Sequence, residues 1–236
     1  MATFSLLIPQ TDLVSPISWG SRASIVNMVD RIIYNYSKIL KIASDNSKIP
    51  IPVLVSFIAV ESGGNATAGG SGSETQGLMQ WNRKYAQNFL EAEFKMNRLT
   101  PEEKKILSQY NINFDKFGKT RIITQSDLVK PELNILIGSI LLGQYLDSYF
   151  DGGKKSNVWA VDDNNSIRID RIIAVYNSGA YGDTGKKARL NNYATPSLLA
   201  KNVNPITRSY IAKILGINGA MDVATKELAE KIQKIS

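Results

Sequence analysis

Glu61 lies where an acidic side chain can serve as a proton donor, at the end of a strongly apolar segment. Residues 53–61 follow Pro50 and Pro52 and read Val-Leu-Val-Ser-Phe-Ile-Ala-Val-Glu, which predicts a helix that ends at this carboxylate. Partial burial raises the pKa of a carboxyl group toward neutrality, as a general acid requires. Position alone does not separate this role from that of an ordinary exposed glutamate at a helix end.

The chain contains no His and no Cys among its 236 residues. Their absence excludes Ser-His triads, cysteine nucleophiles, disulfides and most zinc sites. Any proton transfer therefore uses a carboxylate, Lys or Tyr. We expect no metal and no cofactor.

Composition indicates one globular domain, with 43% hydrophobic and 21% charged residues. The apolar runs 51–60 and 133–142 are shorter than the roughly 20 residues that span a bilayer, so we expect no membrane span. The N-terminus does not have the pattern of a secretory signal, which predicts synthesis in the cytoplasm. The net charge of +7 fits either an ordinary solvated surface or attraction to a polyanion such as a wall polymer or a nucleic acid.

Apolar periodicity and turn residues predict a mainly α fold without regular strand–helix alternation. Helices are predicted at 21–43, 53–61, 84–110, 131–150, 167–176, 206–215 and 222–235, a short strand at 121–124, and coil at 179–204. Thr100 and Glu103 have the spacing of a capping box, and the inward side chains predicted for the helix at 131–150 are Leu133, Leu136, Ile137, Ile140, Leu141 and Tyr145. Residues 63–77 hold six glycines and form either a flexible linker or an irregular ribbon whose glycines allow a ligand close to the backbone.

Four motifs in order carry a family resemblance. Glu61-Ser62-Gly63, a Gly/Ser loop and Gly77-Leu78-Met79-Gln80 resemble the first two signatures of the soluble lytic transglycosylases, whose fold is similar to goose-type lysozyme. The run Asp127-Leu128-Val129-Lys130-Pro131-Glu132-Leu133-Asn134-Ile135, then Gly138, resembles the third. Ala174-Val175-Tyr176-Asn177-Ser178-Gly179 resembles the fourth with one residue inserted, and Thr207 and Tyr210 resemble the closing helix.

The resemblance implies a lysozyme-like fold with a small irregular or β element near the cleft. It implies Glu61 as the acid/base, with Ser71 and Gln80 lining the cleft. Tyr176, supported by Asn177, would face Glu61; the alternative for Tyr176 is a half-buried core aromatic. Ser62 is a further substrate-binding candidate, and its alternative role is to form hydrogen bonds at the helix end.

The implied reaction cleaves the β-1,4 bond between N-acetylmuramic acid and N-acetylglucosamine of peptidoglycan and leaves a 1,6-anhydromuramyl end. Most glycosidases use two carboxylates, and Glu74 is the candidate for the second. If Glu74 held a water opposite Glu61, the enzyme would be a hydrolytic muramidase. Otherwise Glu74 is an exposed loop side chain. A third alternative is a non-catalytic glycan-binding or structural virion protein.

The chain departs from the family pattern at several positions. Gly64 replaces an aromatic or apolar residue, Trp81-Asn82 follow Gln80, Leu141 replaces a Tyr, and an insert occupies about 83–126. The predicted organisation is an N-terminal extension and helix at 1–48, a transglycosylase domain at 49–215 and a C-terminal helix at 216–236.

The expected partners are peptidoglycan glycan strands, with no nucleic acid, because no helix-turn-helix pattern accompanies the positive charge. A wall substrate without an export signal predicts a phage-encoded enzyme that reaches the wall as a virion component or with other virion or lysis proteins. The alternative is a bacterial enzyme with cryptic export.

Overall fold

The computed structural model describes residues 10–14, 19–70, 72–147, 167–178, 195–226 and 228–236. The chain divides into two compact units. The central unit contains residues 31–141 and 235–236, and the terminal unit contains residues 1–30 and 142–234. The predicted division at 48/49 and 215/216 stays a prediction.

The described residues are mainly helical, which confirms the predicted mainly α class. The helices are α1 Arg22–Ser47, α2 Ile51–Ser62, α3 Arg83–Lys95, α4 Pro101–Gln109, α5 Gln125–Leu128, α6 Pro131–Asp147, α7 Ile169–Ser178, α8 Pro196–Asn202, α9 Pro205–Leu215, α10 Ala220–Lys226 and α11 Ala229–Gln233. The strands are β1 Gln10–Val14, β2 Thr75–Gln76, β3 Trp81–Asn82 and β4 Gly216–Ile217.

The core of the central unit forms around α2 and α6. Helix α2 begins after Pro50, with Pro52 in its first turn, and its side chains from Val53 to Ala59 are buried. Helix α6 is buried on all sides from residue 133 to 143, because its sequence is apolar around the whole helix rather than along one stripe. Each fully buried aliphatic side chain contributes about 1.5–3 kcal/mol, so these two helices anchor the unit.

Helix α1 is longer than its sequence pattern predicted. It continues through the polar residues 44–47, where the Ser47 hydroxyl donates to the Ala43 carbonyl oxygen at 2.6 Å. It ends at Ser47, and the next residue, Lys48, has a left-handed backbone with φ +60°. The six predicted inward side chains of α6, from Leu133 to Tyr145, are all buried, as expected.

The insert at 83–126 contains two helices instead of one continuous helix. A turn at residues 96–100 separates α3 from α4, and Thr100 and Glu103 form the expected capping box. The strand predicted at 121–124 is wrong. These residues are coil, because Thr124 instead caps α5, accepting from the Asp127 backbone N–H while the Asp127 carboxylate accepts from the Thr124 backbone N–H.

The described part of the terminal unit contains α7–α11 and a short parallel pair, β1 with β4. Arg168 and Asp170 form a bidentate ion pair that is almost completely buried, with N–O distances of 2.9 and 2.7 Å. Within the predicted coil at 179–204, residues 196–202 form α8, which Thr195 caps. The helix predicted at 222–235 is divided into α10 and α11.

Candidate active site

Glu61 lies in the last turn of α2, and its side chain is partly exposed. The helix ends at Gly63, whose left-handed backbone (φ +61°) lets its N–H donate to the Ala59 carbonyl oxygen at 3.0 Å. Gly64 follows at φ +78°, where an added Cβ would lie 2.7 Å from the Ile32 side chain. A side chain at position 64 would therefore strain the left-handed backbone and collide with Ile32 of α1.

Two side chains of α1 hold this helix end. Arg31 Nη2 donates to the Gly63 carbonyl oxygen at 3.0 Å, and the Tyr36 hydroxyl donates to the Gly64 carbonyl oxygen at 3.3 Å. Burial raises the pKa of Tyr36; the positive charge of Arg31 opposes this effect and the negative charge of Glu132 adds to it. Tyr36 therefore stays a neutral donor. Sequence reasoning missed both residues, because in the sequence they belong to an ordinary amphipathic helix.

The Ser62 hydroxyl is engaged within its own helix end. It donates to the Ile58 carbonyl oxygen at 3.0 Å and accepts from the Gly64 N–H at 3.2 Å. These contacts match the alternative that the sequence left open for Ser62. Substrate binding by this residue stays a prediction.

The glycine-rich segment is held in place by a series of hydrogen bonds, which argues against a flexible linker. Three backbone N–H groups donate to backbone carbonyl oxygens: Asn65 to Ser62, Ala68 to Asn65, and Gly77 to Ala68. Gln76 is 1% exposed, and its amide donates to the carbonyl oxygens of residues 70 and 73 at 2.9 and 3.0 Å. Sequence reasoning also missed Gln76, although a Gln among glycines is a usable signal.

Gln80 lies in the turn between β2 and β3, with a left-handed backbone (φ +50°) and a partly exposed side chain. Its Oε1 accepts from the Thr75 hydroxyl at 2.9 Å, and its Nε2 donates to the Gly77 carbonyl oxygen at 2.8 Å. The side-chain amide is thus fixed in one orientation. Strands β2 and β3 form a two-residue antiparallel pair, in which Thr75 pairs with Asn82 and Gln76 with Trp81. The small irregular or β element expected beside a cleft stays a prediction.

Asn134 connects this turn to α6. It is fully buried; its Nδ2 donates to the carbonyl oxygens of Gln76 (3.0 Å) and Leu128 (2.7 Å), and its Oδ1 accepts from the Met79 N–H at 2.7 Å. Two glycines make room for this arrangement. A Cβ on Gly77 would lie 2.1 Å from the Leu128 oxygen, and a Cβ on Gly138 would lie 2.1 Å from the Met79 sulfur. The second and third motifs therefore fit against each other.

The other departures near Gln80 have structural roles. Trp81 is buried and stacks on Tyr85 and Phe89, with ring centroids 5.6 and 5.7 Å away. The Asn82 side chain caps α3 by accepting from the Tyr85 N–H at 3.2 Å. Both residues therefore help to position α3, the first helix of the insert.

The remaining candidates of the glycine-rich segment are Glu74 and Ser71. Glu74 is exposed and directly precedes β2. Its role as a second carboxylate stays a prediction. Ser71 lies outside the described residues.

Tyr176 and Asn177 belong to α7 of the terminal unit and are both partly exposed. The Thr207 hydroxyl donates to Asn177 Oδ1 at 2.8 Å, and Thr207 is itself completely buried. The Thr207 N–H donates to the Asn204 side chain that caps α9. The fourth motif and the closing helix are thus joined inside this unit. The predicted approach of Tyr176 to Glu61 stays a prediction.

An ion pair supports the start of the third motif. Arg121 and Asp127 form a bidentate pair at 2.7 and 2.8 Å, and Arg121 also donates to the Tyr110 carbonyl oxygen. Burial would raise the pKa of Asp127, but hydrogen bonds from Arg121 and Thr124 outweigh it and lower the pKa to about 2. Burial, together with a 3.0 Å hydrogen bond to Glu132 and its charge, raises the pKa of Tyr110 to about 12.

Within the ranges that the structure describes, no three acidic side chains are grouped as a metal site would require. The helices seen there are also not long and apolar enough for a membrane span. No protein-family model matches the chain, and no curated protein matches it in sequence.

Proposed function

We propose that the chain is a lysozyme-like lytic transglycosylase that cleaves the glycan strands of peptidoglycan. One observation carries the proposal. The hydrogen bonds that begin at Ser62, beside Glu61, continue through Asn65 and Ala68 to Gly77, and Asn134 then holds the turn that presents Gln80. The first three motifs all lie in the central unit. The Glu61 carboxylate lies at one end of the hydrogen-bonded segment and the Gln80 amide lies at the other.

In the proposed reaction, Glu61 begins protonated. It donates its proton to the glycosidic oxygen while the bond from this oxygen to the muramyl C1 breaks through an oxocarbenium-like state. The ionised Glu61 then accepts the proton of the muramyl 6-hydroxyl as the oxygen of that hydroxyl bonds to C1. The products are a 1,6-anhydro end and a free hydroxyl on the leaving sugar, without consumption of water.

Gln80 is proposed to bind the glycan. Because its Oε1 and Nε2 are already held by Thr75 and Gly77, the orientation of its amide is set before substrate arrives. Tyr176 and Asn177 are proposed to contribute from the terminal unit, with Asn177 held by the buried Thr207.

The test is to digest purified sacculi and to identify the released muropeptides by mass spectrometry. We expect anhydro ends from the wild type and at least a ~100-fold loss in Glu61→Gln, because general acid catalysis contributes roughly 10²–10⁴-fold. Glu102→Gln is the matched control, since Glu102 is exposed on α4. No release by the wild type would refute an enzymatic function and favour a glycan-binding protein.

The hydrolytic alternative gives a different product. Reducing ends in place of anhydro ends would identify a muramidase, and Glu74→Gln would then abolish release together with Glu61→Gln, because the second carboxylate would be needed to activate water.

A further inference from the structure

A cavity of about 510 Å³ lies at the open end of the β2–β3 pair. Glu74, just before β2, and Asn82 and Arg83, at the β3–α3 junction, contribute to its lining. Thr75, which pairs with Asn82, is the residue whose hydroxyl holds Gln80. The cavity and the proposed glycan-binding amide therefore share one small hairpin.

The cavity carries charges of both signs that do not neutralise each other. Arg83, Lys84 and Glu74 all line the cavity and are exposed. Among the ion pairs formed by described residues of the central unit, none includes any of these three side chains. A ligand with both carboxylate and ammonium groups would form charge-assisted hydrogen bonds with this lining.

The uncharged part of the lining includes two isoleucines and the polar side chain of Gln87. Ile122 is 75% exposed, whereas Ile123 is buried. Gln87 is held between the Glu91 carboxylate (3.2 Å) and the Ile123 N–H (3.4 Å). Glu91 in turn binds Lys119 at 2.6 Å. An exposed isoleucine in a fixed wall favours a ligand with small apolar groups beside its charges.

We propose that this cavity binds the stem peptide that branches from the muramic acid of the glycan. Such a peptide has free carboxylates for Arg83 and Lys84, an amine for Glu74 and alanine methyl groups for Ile122. The inference rests on the proposed function. It gives Glu74 a role in peptide binding, in place of activating water.

The experiment compares two substrates, glycan strands that carry stem peptides and the same strands after an amidase has removed the peptides. For Arg83→Ala, we expect kcat/KM to fall at least about tenfold more on the peptide-bearing strands than on the bare strands, because one charge-assisted contact is lost. Lys105→Ala removes an equivalent exposed charge from α4 and should leave the ratio of the two rates unchanged. An equal loss on both substrates in Arg83→Ala would overturn the proposal.

Calorimetric titration of the full wild-type chain with a free stem tetrapeptide tests the cavity without any variant. Saturable binding that weakens at least tenfold in Arg83→Gln and in Glu74→Gln supports the proposal; no binding by a folded wild type overturns it. Thermal unfolding of each variant verifies its fold. If the wild type cleaves neither kind of glycan strand but binds the tetrapeptide, the proposed reaction is wrong and the proposed peptide site is supported. If both strands are cleaved at equal rates without tetrapeptide binding, the peptide site alone fails.

Discussion

Two consecutive parts of the central unit are held by different chemistry. Apart from Arg31, which donates to the Gly63 carbonyl oxygen, the groups described above that hold the segment from Gly63 to Asn82 are neutral. They include backbone amides, the Thr75 hydroxyl and the amides of Gln76 and Asn134. The insert that follows and its junction with the third motif are held by carboxylates: Glu91 with Lys119, Glu103 in its capping box, and Asp127 with Arg121.

The difference predicts separate responses to pH. Neutral hydrogen bonds do not titrate, whereas carboxylate contacts are lost when the carboxylate is protonated. Hydrogen bonds from Lys119, Gln87 and Thr120 outweigh the opposing effect of burial and lower the pKa of Glu91, and the pKa of Asp127 is lowered in the same way. On acidification, the insert should loosen while the segment that presents Gln80 keeps its geometry.

The strongest test of the neutral segment is Asn134→Ala. It leaves the Met79 N–H and the oxygens of Gln76 and Leu128 buried without a partner, so we expect a loss of about 3–5 kcal/mol in the free energy of unfolding. Urea denaturation measures this loss. Asn113→Ala is the control, because Asn113 is exposed. A loss below about 1 kcal/mol in Asn134→Ala would show that the segment does not depend on this amide.

A pair of glycine variants separates backbone strain from close packing. Gly77 and Gly70 both have positive φ, but only at Gly77 would a Cβ collide, with the Leu128 oxygen at 2.1 Å. We expect Gly70→Ala to cost about 1–2 kcal/mol from strain alone, and Gly77→Ala to cost about 1–3 kcal/mol more from overpacking. Thermal unfolding measures the loss of stability in Gly70→Ala and in Gly77→Ala. Equal costs would contradict the packing of the second motif against the third.

Acid titration tests the charged insert through Asp127. Its pKa is about 2 in the folded protein against an ordinary 3.8, so its contribution to stability is complete above pH 4 and is lost as the pH falls toward 2. The shift corresponds to about 2 kcal/mol, since the carboxylate is mostly buried. We expect the free energy of unfolding, measured by denaturation, to differ less between pH 5 and pH 2.5 in Asp127→Asn than in the wild type. If this difference in the free energy of unfolding is the same in Asp127→Asn and in the wild type, Asp127 does not contribute to the loss of stability in acid.

Thr75→Val makes the smallest change to the neutral segment. It deletes the 2.9 Å hydrogen bond to Gln80, and we expect a stability loss below about 1 kcal/mol. We also expect a severalfold fall in kcat/KM on sacculi, because one of the two hydrogen bonds that orient the Gln80 amide is lost. Thr67→Val, in the same segment, removes an exposed hydroxyl that bonds only locally and is the control. Full activity in Thr75→Val would mean that the orientation of Gln80 does not matter.

The sequence by itself determined the mainly α class and the position of the candidate acid at the end of α2. The apolar run before Glu61, the Pro at its start and the Thr100 capping box are all local signals, and each is present in the structure as expected. The absence of His and Cys left Glu61 among few groups able to transfer protons. The strand predicted at 121–124 was wrong because two local signals compete there. The neighbours of Thr124 have strand-forming side chains, but the Thr124 side chain caps α5.

Only the tertiary structure decided how the candidate site is held. Arg31 and Tyr36 contact turns 32 and 28 positions later in the chain, and Asn134 reaches back 55 and 58 positions to Met79 and Gln76. The periodic patterns of a helix or a strand relate residues only a few positions apart, so they do not predict contacts over such long separations. The same limit applies to Glu74, Arg83 and Lys84, which share a cavity because β2 pairs with β3 and α3 follows directly.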